Sequence, residues 1–309
     1  MCRTLCAVLI VCGSFIMAQA QMTRGTRMVP SGKGYGIPGS ALGDTVNQGN
    51  GIDYNGGRVM PRNVKVYLIW YGNWTSGPSP SDSQETVDLI TTLINSIGGT
   101  PYEQINTTYG DATNDVTGQV SLGGTAKLPL YPNGSGLTDA DVLTVVKNLI
   151  TRGRLPLDSN GVYFVLTTTD VGETSGFCSA YCGWHKRANI NRIDVKYSFV
   201  GNPDRCPSSC EVQSISPNNN SGGDGMASLV AGELNATVTD PDLNAWFNTG
   251  GLENADLCGF KWGQLLGGSI GNGGYNQQMG GLNWLIQTNW ENARGGGCDN
   301  FLGGPFWPK

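Results

Sequence analysis

Six cysteines, in a chain that opens with an export signal, restrict the fold more than anything else in the sequence. Over the first twenty residues Arg3 is the only charge. Ala7 to Cys12 is an unbroken apolar run that Phe15 to Ala18 nearly extends, and Ala18-Gln19-Ala20 has the small-x-small form that signal peptidase cuts. The apolar part falls short of the roughly 20 residues that span a bilayer. Residues 1–20 are therefore read as a signal peptide cleaved after Ala20, and no later run is long enough to cross a membrane. Cleavage removes Cys2, Cys6 and Cys12 and leaves Cys178, Cys182, Cys206, Cys210, Cys258 and Cys298. An even number in an oxidising compartment favours disulfides over a metal knuckle, despite two C-x3-C spacings. The connectivity is open; Cys258 with Cys298 is the one pair expected. Five sequons, at Asn73, Asn106, Asn133, Asn219 and Asn235, agree with secretion in a eukaryotic host.

Net charge is −5, from 19 basic and 24 acidic residues, and no basic stripe is visible. Nucleic acid is therefore not an expected partner. Charged residues make up 14% of the chain and glycine 47 of 309 residues, about twice the usual share. That composition describes a loop-rich domain rather than a helical bundle.

Residues 21–60 are Gly-rich and aperiodic and read as an extended arm, with order beginning at Asn63 and one domain over 61–309. Val64 to Trp70 is a β-prone apolar run ending at Tyr71-Gly72. Ser81 with Gln84 has the form of a capping box, followed by Val87, Ile90, Ile94 and Ile97 at helical spacing up to Gly98-Gly99. A second helix starts at Thr138 and runs to Gly153, and Gly161 to Thr167 reads as a buried strand. Cys178 to His185 reads as a turn-rich crossing. Ile193, Val195, Tyr197 and Phe199 alternate with polar residues, the period of a half-buried strand. A third helix is expected after a Gly-rich loop, capped by Asp224, buried through Met226, Leu229, Val230, Leu234 and Val238, and ended by Asp240-Pro241. The whole reads as a single α/β (α+β) domain, a mixed sheet with helices and Gly-rich loops, whose strand order is open.

Several segments, in order, resemble the EXORDIUM or phosphate-induced protein 1 family of secreted plant proteins. They are Asn63 to Trp74; Val165 to Val171; Gly176-Phe177-Cys178 with Cys182-Gly183-Trp184-His185; Val200-Gly201-Asn202-Pro203 with Cys206-Pro207 and Cys210; Asp224-Gly225-Met226; Thr239-Asp240-Pro241 with Asn244-Ala245-Trp246; and Ala255 to Cys258. The resemblance implies a secreted or wall-associated protein linked to growth and nutrient status. It also implies a zincin-like core helix of pattern His-Glu-Leu-Ala-Glu, whose first and fifth residues would bind zinc while the second acts as general base. Here that stretch is Gly232-Glu233-Leu234-Asn235-Ala236. Glu233 keeps the base position, but neither Gly232 nor Ala236 has a side-chain atom able to hold a metal. No metal or cofactor is expected, and a pseudo-enzyme is the leading reading.

The remaining chemistry is sparse. His185 is the only histidine, which excludes multi-His centres, and a structural role is favoured for it. Glu233 with Glu253 or Asp256 is the one carboxylate pair that could serve a glycan hydrolase. His185, Glu253 and Asp256 are the residues from which a metal site would have to be rebuilt. Trp70, Trp74, Trp184, Trp246, Trp262, Trp284, Trp290 and Trp307 are read chiefly as core; a row of them on an open groove would instead suit sugar stacking. The leading expectation is a non-catalytic extracellular protein with a wall glycan or another extracellular protein as partner. The alternatives are a divergent metallopeptidase or carboxylate-dependent glycan hydrolase, and a wall-glycan binding module.

Overall fold

A computed structural model describes residues 29–31, 46–47 and 49–306; the expected signal peptide, the rest of the arm and Trp307 lie outside the described residues. In chain order come β1 (Val29–Ser31), β2 (Val46–Asn47), β3 (Asp53–Tyr54), β4 (Val64–Tyr71), α1 (Gln84–Ile97), a 3-10 turn (Glu103–Thr108), β5 (Val120–Leu128), β6 (Gly136–Leu137), α2 (Asp139–Thr151), β7 (Gly161–Thr167), β8 (Gly172–Glu173), β9 (Tyr181–Ile190) and β10 (Ile193–Gly201). Then follow the short α3 (Pro207–Cys210), the long α4 (Ser221–Thr239), β11 (Trp246–Phe247), α5 (Asn254–Leu257) and three small hairpins built from β12 to β17 between Gly267 and Asp299.

Among the described residues the main sheet has six strands in the order β1-β9-β10-β7-β4-β5. It is mixed: β9 and β10 pair antiparallel, and the other neighbours are parallel. The chain moves outward from β4 to β5 through α1 and back past β4 to β7 through α2. Right-handed crossovers in opposite directions put α1 and α2 on opposite faces. Helix α4 packs against α1 and against β9, β10 and β7, so it shares the face of α1. The other side of α4 is covered by α5, the 3-10 turn and the hairpins, and every residue from Gly222 to Thr239 is buried.

Sandwiching explains why β4 and β7 are continuous apolar runs, the pattern of parallel strands covered on both faces. Gly72 ends β4 at φ +112°, where a Cβ would lie 1.9 Å from Thr168 Oγ1. Strand β10 departs from the half-buried reading. From Val195 onward it is buried on both faces, Lys196 and Ser198 included, because α4 covers one side and α2 the other.

Other boundaries also differ. The crossing expected over Cys178 to His185 runs from Tyr181 into a ten-residue strand, Tyr181 to Ile190, held in register by β10. Helix α1 starts from Ser83, and Ser81 bonds Asp204 and Asn202 instead of capping it. Helix α2 does begin on Thr138, whose side chain and that of Asp141 form a reciprocal capping box. The cap of α4 is Asn220, accepting from Gly223 N, so the glycines read as a loop form its first turns. Ordered pairing begins before Asn63: β1 lies parallel to β9, β3 pairs with β2 and β11, and Ile52 is fully buried.

The six cysteines form Cys178–Cys206, Cys182–Cys210 and Cys258–Cys298. The first two tie the start of β9 to α3, and the third, the pair expected from sequence, ties α5 to the last hairpin. Each closes a loop of 28 or 40 residues, a constraint worth about 3–4 kcal/mol in the chain-entropy view.

Candidate functional site

The candidate chemistry converges where β9, α4 and α5 meet. His185 sits on β9 facing α4, Glu233 is midway along α4, and Glu253 caps α5. His185 Nδ1 is 3.4 Å from Glu233 Oε2, and Nε2 is 3.7 Å from Glu253 Oε1 and 3.3 Å from the carbonyl oxygen of Asp240. Gly183, two residues before the histidine, lets the helix come this close: a Cβ there would be 3.1 Å from Glu233 Oε1. Relative exposure is 1% for His185, 1% for Glu233 and 2% for Glu253, so no solvent path reaches the group.

Burial sets the protonation. It pushes the Glu233 carboxyl well above its ordinary range and does the same to Glu253, with Asp240, Asp256 and Glu233 adding like-charge repulsion. Burial pulls His185 below its ordinary value, opposed by Asp240 and Asp256. A neutral imidazole therefore faces a protonated carboxyl. The consistent tautomer carries its proton on Nε2, donating to the Asp240 carbonyl, and leaves Nδ1 bare beside Glu233. Glu253 and Asp240 share a side-chain hydrogen bond, which requires a proton on one of them; Glu253 holds it, because Asp240 Oδ1 accepts from Asn244 N and Ala245 N. Asp256 turns to its own helix and accepts from Glu253 N at 3.1 Å. It acts on His185 through its charge alone.

The zincin ligand positions do not fit a metal. A Cβ on Gly232 would lie 2.8 Å from Gln287 Nε2, so the amide of Gln287, donating to the Ala255 carbonyl, fills the space. Ala236 is fully buried. Among the described residues no group of three or more His, Cys, Asp or Glu side chains is arranged to hold a metal ion.

Two residues on from Glu233 along α4, Asn235 belongs to a second buried polar group. Asn106 Nδ2 donates to Asn235 Oδ1 at 2.8 Å and to Glu103 Oε1 at 3.0 Å, while Asn254 and Asn289 donate to Asn106 Oδ1. Asn235 Nδ2 donates to Tyr102 OH. Burial pushes the Glu103 carboxyl up to about 8, opposed by its bond from Asn106. Asn106 and Asn235 are both fully buried, so neither has room for a glycan in the folded chain. Asn73 and Asn133 are half-buried and Asn219 is exposed. Among the described residues no tryptophan row lines an open groove: Trp70, Trp74, Trp184, Trp246, Trp284 and Trp290 are core side chains and Trp262 is half-buried.

Sequence reasoning named His185, Glu233, Glu253 and Asp256, and the structure brings the first three into contact. It missed Asp240 and Gln287. Asp240 was legible only as the residue that ends α4, and nothing in the local pattern of Gln287 points to α4.

Fold and site together define an α/β domain built around one buried helix, with a sealed carboxyl–imidazole cluster and three disulfides. Its sequence aligns with known proteins over the same span. The phosphate-induced protein 1 conserved region matches residues 52–294, and the chain belongs to that family, the EXORDIUM proteins. Relatives include Protein EXORDIUM-like 3 of Arabidopsis thaliana, 32% identical over 259 residues that cover 74% of this chain and 73% of the relative. Protein EXORDIUM-like 5 of the same plant is 29% identical over 285 residues, covering 77% and 75%. Protein PHOSPHATE-INDUCED 1 of Nicotiana tabacum is 28% identical over 235 residues, covering 67% and 71%. No solved structure matches the chain.

Proposed function

We propose that this protein is secreted, works outside the cell at the wall, and has no catalytic turnover at the α4 carboxylate. The observation that carries the reading is the closure of the cluster: Glu233 is buried, protonated, walled in by His185 and Glu253, and flanked by Gly232 and Ala236, which offer a metal nothing. A general base must be charged and must reach a substrate proton; this one is neither charged nor reachable. The three disulfides and the signal-like first twenty residues support an oxidising destination. Among the described residues no helix is long and apolar enough to cross a membrane. The name of the tobacco relative supports a link to phosphate or nutrient status, and the family resemblance supports one to growth.

Expression in a secreting eukaryotic host tests this directly. The medium should contain a chain starting at Gln21, and purified protein should leave peptide and glycan substrates intact. Turnover that Glu233→Gln abolishes would overturn the reading. A glycosidase that removes N-linked sugars should map them to some of Asn73, Asn133 and Asn219 and to neither Asn106 nor Asn235.

A further inference from the structure

A groove of about 440 Å³ opens beyond the C-terminal end of α4, where the segment before β4, the loop after the 3-10 turn, the loop before β7, the start of β10 and the Pro241 turn meet. That is within the range of small-ligand sites, roughly 300–1,000 Å³. Its floor is partly apolar, with Met60 and Pro241, and no aromatic ring lines it. Stacking is therefore not its mode of recognition.

The charges of the groove are unevenly committed. On one wall the buried Lys196 is held by Asp194 and by Asp242, the latter at 3.1 Å, and Arg187 lies 3.8 and 4.0 Å from the same two carboxylates. Asp111 is spent on its own turn, accepting from Thr113 N and Asn114 N through Oδ1 and from Val59 N through Oδ2. On the other wall Arg58 and Arg62 are exposed, and neither guanidinium has an ion-pair or hydrogen-bond partner among the described residues. The lining balances three cations, Arg58, Arg62 and Lys196, against three carboxylates, Asp111, Asp194 and Asp242, in a protein whose sequence totals −5, and all three carboxylates are already engaged. The two uncommitted cations are guanidiniums, which pair with carboxylates through two parallel hydrogen bonds. Ser159 and Asn114 add polar groups suited to hydroxyls.

We propose that this groove binds an acidic saccharide, a sugar chain carrying carboxylates, with Arg58 and Arg62 gripping a carboxylate while Ser159 and Asn114 bond neighbouring hydroxyls. The proposal rests on the extracellular, non-catalytic reading only for the source of the sugar and for its surviving intact.

Titration calorimetry of the whole secreted protein with a tetramer of galacturonic acid tests it, alongside a glucose tetramer and inorganic phosphate. The galacturonate tetramer should bind, weaken as salt is raised, and lose roughly ten-fold or more in affinity in Arg58→Ala and in Arg62→Ala, each the loss of a charged hydrogen-bonding group. Both side chains are exposed, so the variants should fold, as unchanged thermal unfolding will verify. No binding of the galacturonate tetramer, equal binding of the glucose tetramer, tighter binding of phosphate, or unchanged affinity in both variants would each overturn the proposal. Shortening of the tetramer during incubation would contradict the non-catalytic reading and leave the groove standing.

Discussion

Glu103 shows at the scale of one residue how this interior treats acids. Its carboxyl is fully buried and one oxygen has no hydrogen-bond partner, so the protonated form is the stable one inside. With an ordinary value of 4.5 and a folded value of about 8, its contribution is complete below about pH 4.5. It is lost as pH rises to about 8, by an amount on the order of a few kcal/mol. Glu233 and Glu253, also raised, act in the same direction. His185 acts against them: its value is lowered, so its share is present above about pH 6.5 and is lost as pH falls towards the depressed folded value. The three carboxyls outweigh the one imidazole. Urea midpoints should therefore rise from pH 8 to pH 5, and Glu103→Gln, which keeps the shape without the proton, should flatten that slope. A midpoint that falls steadily over the same interval would contradict this protonation scheme. Gly232 gives a second test. Restoring both ligand positions with Gly232→His and Ala236→Glu pushes bulk into Gln287 and a closed core, and should cost about 1–3 kcal/mol, read by chemical denaturation, instead of creating a tight zinc site.

Among the elements, α4 carries the fold and departs furthest from ordinary helix chemistry. Gly222, Gly223 and Gly225 in its first turns each cost about 1 kcal/mol against alanine. The packing requires Gly222, since a Cβ there would lie 2.5 Å from Ser81 Oγ and 2.6 Å from Asn202 Oδ1. Gly222→Ala should therefore destabilise, by about 1–3 kcal/mol, although it improves helix propensity; a gain in melting temperature would show that the loop around Ser81 gives way. Legibility from sequence follows the same line. β4 and β7 were readable as unbroken β-prone apolar runs and α1 and α2 by their helical period, and the Thr138 cap announces itself within four residues. β9 was not, because the cysteines and Gly183 between Cys178 and His185 look like a turn until β10 pairs with the strand. The glycines opening α4 looked like a loop until Ser81 and Asn202 were seen to press on them.

For the whole molecule the layers, the disulfides and the closed cluster form one argument. Sheet, α4 and the hairpin layer leave the α4 acids no water, and Cys258–Cys298 pins the layer that covers them. Replacing both of those cysteines by serine should cost about 4 kcal/mol by the loop it reopens, checked by the urea midpoint against the parent protein. The site was only half legible for a reason of scale. Four acid or imidazole residues could be named from their chemistry, but their meeting depends on three elements more than 40 residues apart in pairs such as His185 and Glu233, and the groove at Arg58 and Arg62 draws on still more distant stretches.

The central claim is that the α4 carboxylate sits in a sealed, metal-free core. Elemental analysis of the mature secreted protein, purified without a metal-binding tag and dialysed exhaustively, tests it most directly. The account predicts zinc far below one equivalent; about one zinc per chain, surviving dialysis and lost in Glu233→Gln, would contradict it.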